Sequence, residues 1–151
     1  MQLEVLASFT FNVKNPPTAP FGVEVLRAQN GSTAARLQVD CSKGVSECTV
    51  GVNATSQHRP AIGLRPLLPV PTTNTKNGDV VSLSVHAIVD HTIVEAIFNN
   101  RTAMVVYAVP RADTDTNVML FSSEPEKVTT ALKLWELSSA GAVRSEPEII
   151  L

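Results

Sequence analysis

The chain begins with an alternation: Leu3, Val5, Ala7, Phe9, Phe11 and Val13 are apolar, with Gln2, Glu4, Ser8, Thr10 and Asn12 between them. A period of two sends successive side chains to opposite faces of an extended backbone, so this stretch predicts a strand with one buried face. A Pro-rich turn from Asn15 to Pro20 leads into GVEVLRA. Asn30-Gly31 then turns the chain into AARLQV, and a hairpin between Cys41 and Cys48 leads to TVGVNA. From 55 to 79, prolines at 60, 66, 69 and 71 confine the chain to loops or an edge strand, because proline cannot donate to a ladder. Asn77-Gly78-Asp79 closes that segment as a turn. VVSLSVHAIVD, TIVEAIF, TAMVVYAV and NVMLF read as successive strands, joined by turns at Asp90, at Asn99-Asn100 and from Pro110 to Thr116.

One segment, KVTTALKLWEL, fits two periods. Val128, Leu132 and Trp135 would share a helix face, whereas Ala131, Lys133, Trp135 and Leu137 would share a strand face. Its Thr pair and its neighbouring strands favour β. Residues 1–140 are expected to form one domain, and residues 141–151, which have no sustained pattern, a flexible tail. About nine strands and no convincing helix predict an all-β fold, a two-sheet antiparallel β-sandwich.

Composition narrows the partners. A length of 151 residues suits one domain with a real core, and a formal net charge of −2 leaves no basic stripe for nucleic acid or an anionic membrane. No apolar run reaches the roughly 18 residues of a membrane-spanning helix, and the alternating N-terminal segment does not read as a signal peptide. Two features nevertheless point toward secretion. Asn30, Asn53 and Asn100 each open an Asn-x-Ser/Thr sequon and are candidate N-glycosylation sites. Cys41 and Cys48, the only cysteines, are too few ligands for structural zinc; they are either two thiols or a disulfide, the latter if the chain is secreted.

Candidate chemistry concentrates between Val89 and Pro110, in VDHTIVEAIFNNRTAMVVYAVP, where Asp90, His91 and Glu95 lie close together. On an extended backbone Asp90 and His91 point to opposite faces, so they are not expected to share a site; Asp90 is expected to close the turn by accepting local backbone N–H groups. Glu95 shares a face with Ile93 and Ile97, while Val94, Ala96 and Phe98 line the other. An unpaired buried carboxylate is costly, so Glu95 should reach water or a cation, with Arg101 as the candidate partner. His58 and His86 have no carboxylate or second His at ligand spacing and read as solvated or hydrogen-bonded side chains. Gly-rich phosphate loops, Gly-x-Ser-x-Gly elbows and His-Glu-x-x-His motifs are absent. The sequence therefore assigns no catalytic, cofactor-binding or metal residue.

The same stretch resembles the signature of the C-terminal β-sandwich of glycoside hydrolase family 32, the invertases, fructan hydrolases and fructosyltransferases. Val89, Asp90, His91, Ile93, Val94, Glu95, Arg101 and Thr102 match its Val-Asp-His-Ser-Ile-Val-Glu, turn, Arg-Thr pattern. LEVLASFTF, Pro20-Phe21-Gly22 opening GVEVLRA, NGDVVSLSVHAIVD and LKLWELSSA follow the family's order, so the likeness spans Leu3 to Ala140. The resemblance implies a concanavalin-like or lectin-like jelly roll in which Asp90, His91, Glu95 and Arg101 are structural. It also implies a β-fructofuranosidase-like parent, usually secreted or vacuolar, acting on sucrose or fructan. In that family hydrolysis belongs to a separate five-bladed propeller with Asn-Asp-Pro-Asn, Arg-Asp-Pro and Glu-Cys motifs. This chain carries none of that domain, and its Glu47-Cys48 lacks the Trp and Pro neighbours of the last motif. Plant members place a sandwich cysteine before the Pro-Phe-Gly segment; this chain has none there, so that bridge does not carry over. The expected role is a non-catalytic accessory domain that stabilises or docks onto a propeller in cis or trans. The alternative is a free-standing carbohydrate-binding module, for which one Trp and one Tyr offer few stacking platforms.

The two strands of the signature are apolar on both faces. Val94, Ala96 and Phe98 oppose Ile93 and Ile97, and Ala103, Val105, Tyr107 and Val109 oppose Met104, Val106 and Ala108. A sandwich offers only one dry face, so an exposed apolar patch including Ile93, Ile97 and Val106 is expected, with docking or self-association as its consequence.

Overall fold

The computed structural model describes residues 2–31, 33–54, 65–66, 72–75, 78–110, 112, 114–137 and 148–150. The opening alternation becomes β1 (Gln2–Asn12), which buries Val5, Ala7, Phe9 and Phe11. The chain then crosses to a second sheet through β2 (Phe21–Arg27), β3 (Thr33–Asp40), β4 (Thr49–Ala54) and the short β5 (Arg65–Pro66). It returns in β6 (Thr72–Thr75), the long β7 (Gly78–Asp90), β8 (Ile93–Phe98) and β9 (Thr102–Tyr107). β10 (Asn117–Ser122) rejoins the second sheet, and β11 (Thr129–Leu137) and β12 (Glu148–Ile150) complete the first.

Among the described residues every pairing is antiparallel. The first sheet has the order β12-β11-β1-β7-β8-β9 with β6 also on β7, and the second the order β10-β2-β3-β4-β5. This is the expected two-sheet β-sandwich. The additional strands are β5, β6 and β12. The first two fall in the proline-bearing stretch, most of which lies outside the described residues, as does His58. The third changes the picture of the tail: Glu148 to Ile150 pair with Lys133 to Ala131, so this end is held to an edge by backbone bonds. Residues 138–147 lie outside the described residues.

The ambiguous segment is a strand, and register explains its apolar spacing. Leu132 and Leu134 face Ala7 and Val5 and lie on the core side, whereas Lys133 and Trp135 face Leu6 and Glu4 on the outside. Phe9 and Phe11 of the first sheet meet Phe21 of the second at ring-centroid distances of 5.3 and 5.8 Å. Each such pair contributes about 0.5–1.5 kcal/mol beyond the burial of its area.

β2 is buried from Phe21 to Leu26 on both faces. On the core side stand Phe21, Val23 and Val25. On the other side Gly22 has no side chain, and Glu24 lies beneath two arginines. Leu26 would follow Glu24 outward, but the β10–β2 register slips here, from Asn117↔Arg27 to Met119↔Glu24, and Leu26 takes a φ of 54°. This bulge brings Leu26 into the core cluster. A left-handed residue costs about 1–2 kcal/mol, and burying a leucine offsets it by about 1.5–3 kcal/mol.

Two further contacts fix the loops. Cys41 and Cys48, buried and one step beyond the Asp40↔Thr49 pair, are joined by a disulfide across the β3–β4 hairpin. Glu124 ties the β1–β2 crossover to the β10–β11 connection: its carboxylate accepts from Ala19 N at 3.2 Å and from Lys127 Nζ at 2.6 Å, and also from Thr18 N and Oγ1. The Lys127 bond, followed by the Thr18 N–H, holds its carboxyl down to about 2.

Candidate functional site

The signature stretch folds as the β7–β8–β9 meander, and register decides what meets on its outer face. Three rows run across the sheet. The first joins Tyr107, Ile93, Asp90 and Gln2; the second Val105, Glu95, Ile88, Glu4 and Trp135; the third Ala103, Ile97, His86, Leu6 and Lys133. The β8–β9 end is open and apolar, with Val105 69% and Tyr107 61% exposed and Ile93 and Ile97 also exposed. At the β11 end Trp135 is covered, at 8% exposure. The expected patch therefore exists with one substitution of membership: Val106 pairs with Val94 on the inner face and is 5% exposed, so the outward residue of that strand is Val105.

The structure brings Asp90 and His91 together, contrary to the expectation. His91 is not extended: its φ is 52°, the start of the β7–β8 turn, and its Nδ1 lies 2.6 Å from Asp90 Oδ1. Alternation holds only while the backbone stays extended. The His91 bond, with a second from the Gln2 side chain, holds the Asp90 carboxyl below the usual carboxylate range. Asp90 thus clasps the turn through side chains, not through the expected backbone N–H groups. Both side chains face solvent.

Glu95 stands exposed between Ile88 and Val105, and among the described residues it makes no ion pair with Arg101 or any other cation. Its carboxylate is open to solvent, so no burial cost arises. His86 has the carboxylate partner that local spacing did not reveal, since its Nε2 lies 3.0 Å from Glu4 Oε1 across the β1–β7 ladder. Glu4 and Glu95 are separated by one intervening strand, so their backbones are about 10 Å apart. Retaining glycosidases hold their carboxyl groups about 5 Å apart.

A second ionic cluster, on the outer face of the other sheet, has no counterpart in the sequence reading. Glu24 is buried, its Oε2 accepting from Arg27 Nε at 2.9 Å and its Oε1 from Arg36 Nε at 3.0 Å. The Arg36 guanidinium also lies 4.5 Å over the Phe121 ring. Glu24↔Arg36 is a direct cross-strand pair, so the signal was register. Burying a carboxylate is tolerable here because both oxygens accept charged hydrogen bonds. Among the described residues no three His, Cys, Asp or Glu side chains converge as metal ligands.

A family model described as glycosyl hydrolases family 32 C terminal matches residues 1–136. The chain belongs to this family. A search of curated proteins finds no match. The matched span of the family 32 domain runs from β1 into β11 and includes the whole signature meander. Its Glu47-Cys48 pair belongs to the hairpin closure: Glu47 ends an exposed 3-10 turn and Cys48 is bonded to Cys41.

Proposed function

We propose that this family 32 domain is a non-catalytic accessory sandwich of a β-fructofuranosidase-like enzyme acting on sucrose or fructan. It docks through the outer face of β8 and β9 onto a catalytic five-bladed propeller carried in cis or trans. The observation that carries this reading is the group of exposed apolar side chains Ile93, Ile97, Val105 and Tyr107, which surround Glu95 on the outer face of β8 and β9. A solvated face should be mostly polar, and a cluster of large exposed apolar side chains marks an interaction surface. A lectin-like role fits less well. Trp135 is covered, and Tyr107 is the only aromatic ring among the described residues that is more exposed than buried.

The test mixes the chain with the separately expressed propeller of its parent enzyme and follows sedimentation. Comigration is expected for the wild type and is lost in an Ile97→Lys, Val105→Lys double variant. A monodisperse chain with no affinity for the propeller refutes the docking, and so does self-association alone. The isolated chain is also expected to release no fructose from sucrose, inulin or levan. Turnover that survives purification and disappears in Glu95→Gln would make the meander catalytic.

A further inference from the structure

We propose that Asn100, at the tip of the β8–β9 hairpin, carries an N-linked glycan in the mature protein. Asn99 and Asn100 both adopt left-handed conformations, with φ of 50° and 54°, and Arg101 N donates to Phe98 O at 3.0 Å to close the turn. The two asparagines differ in what their side chains do. Asn99 is bound to β7: its Oδ1 accepts from Ser84 N at 2.6 Å, and its own N–H donates to Ser84 O at 2.9 Å. Asn100 is exposed, and its carboxamide makes no hydrogen bond among the described residues.

The turn therefore explains the backbone of Asn100 and not its side chain. Glycine is favoured at the second centre of such a hairpin turn, where it adopts a positive φ without steric cost. What the Asn100 carboxamide adds is the acceptor sequence Asn100-Arg101-Thr102, presented on an exposed tip. The buried Cys41–Cys48 disulfide supplies an independent observation, because disulfides persist in the oxidising compartments of the secretory route, where glycosylation also occurs. Asn53 differs: it is half-buried within β4 and pairs with Arg36, so a glycan would emerge against the Glu24–Arg36–Phe121 cluster. Asn30 lies in an exposed turn, but its sequon partner Ser32 is outside the described residues.

In the transfer, Asn100 Nδ2 bonds to the anomeric carbon of a lipid-diphosphate-linked oligosaccharide. The anomeric C–O bond to the diphosphate breaks, the lipid diphosphate leaves with the electron pair, and Nδ2 gives up one proton.

The test secretes the full chain from eukaryotic cells behind a cleavable signal and maps it by site-resolved mass spectrometry after enzymatic deglycosylation in heavy-oxygen water. Label at Asn100 in most molecules and no label at Asn53 is the expected result. Asn100→Gly keeps the left-handed turn and should lower the intact mass by one glycan, as should Thr102→Ala, whereas Thr102→Ser should retain it. A secreted, disulfide-bonded chain with Asn100 unmodified overturns the proposal, as does preferential occupancy of Asn53. If the chain is not secreted, translation into microsomes gives the same reading, and no glycan at Asn100 there also overturns it.

Discussion

Replacing Gly22 with alanine tests how closely the second sheet is built. A Cβ at this position would lie 2.0 Å from Leu37 O, 3.0 Å from Leu37 C and 3.1 Å from Gln38 Cα. All three atoms are main chain, so no rotamer change relieves the contact. Strands tolerate carbon–oxygen approaches of about 3.3 Å, so β2 and β3 would have to part by more than about 1 Å. That movement would break the ladder where Gly22 faces Gln38 and pull Phe21 away from Phe9 and Phe11. β2 cannot slide to the other side, because β10 is paired there. Overpacking typically costs 1–3 kcal/mol and more where nothing can yield, so about 3 kcal/mol or more is expected. For a domain of this size that lowers the melting temperature by about 6–12 °C.

The assay is urea unfolding and thermal melting, with Gly44→Ala as the control. Gly44 has a φ of 111° and nothing within 4 Å of an added Cβ, so its substitution carries the conformational cost without the collision. The expected order is wild type, then Gly44→Ala, then Gly22→Ala. A Gly22→Ala variant within about 1 kcal/mol of wild type, or no less stable than Gly44→Ala, refutes the reasoning.

Two more outcomes are expected. Glu124 has a folded carboxyl held near 2 against an ordinary value of 4.5, so its stabilisation is complete above about 4.5 and is lost as pH falls toward 2. The urea midpoints of wild type and Glu124→Gln should differ constantly above pH 5 and converge across that window; a difference independent of pH contradicts the assignment. Removing the disulfide in a Cys41→Ser, Cys48→Ser double variant should cost about 2–3 kcal/mol, the loop-closure value for so short a loop. Equilibrium unfolding checks this, and equal stability of the two proteins would show that the hairpin closes without its bridge.

Periodicity was enough for the strands because it is a local property. Leu3 to Val13 and Val81 to Val89 carry a period of two over many residues, and no other regular conformation puts all of those side chains on one side. The family likeness was legible for a related reason, since Asp90 to Glu95 and Arg101-Thr102 form one continuous hairpin. Short or mixed segments were less informative. Glu148 to Ile150 is too brief to show a period, and KVTTALKLWEL satisfied two periods until its pairing with β1 selected one.

Contacts across strands were decided only in three dimensions. Glu24 meets Arg36, and His86 meets Glu4, because of register and diagonal reach, and a register is a property of two strands at once. Leu26 lies in the core because a bulge turned it there, and His91 touches Asp90 because its φ is positive. Each of these exceptions begins where the backbone leaves the extended conformation that the pattern assumes. The apolar character of both faces of β8 and β9 was written in the chain, but the choice of Val105 over Val106 as the outward residue came from the ladder. Shifting a strand by one residue exchanges its two faces, so a face that is apolar on both sides does not by itself say which side meets water.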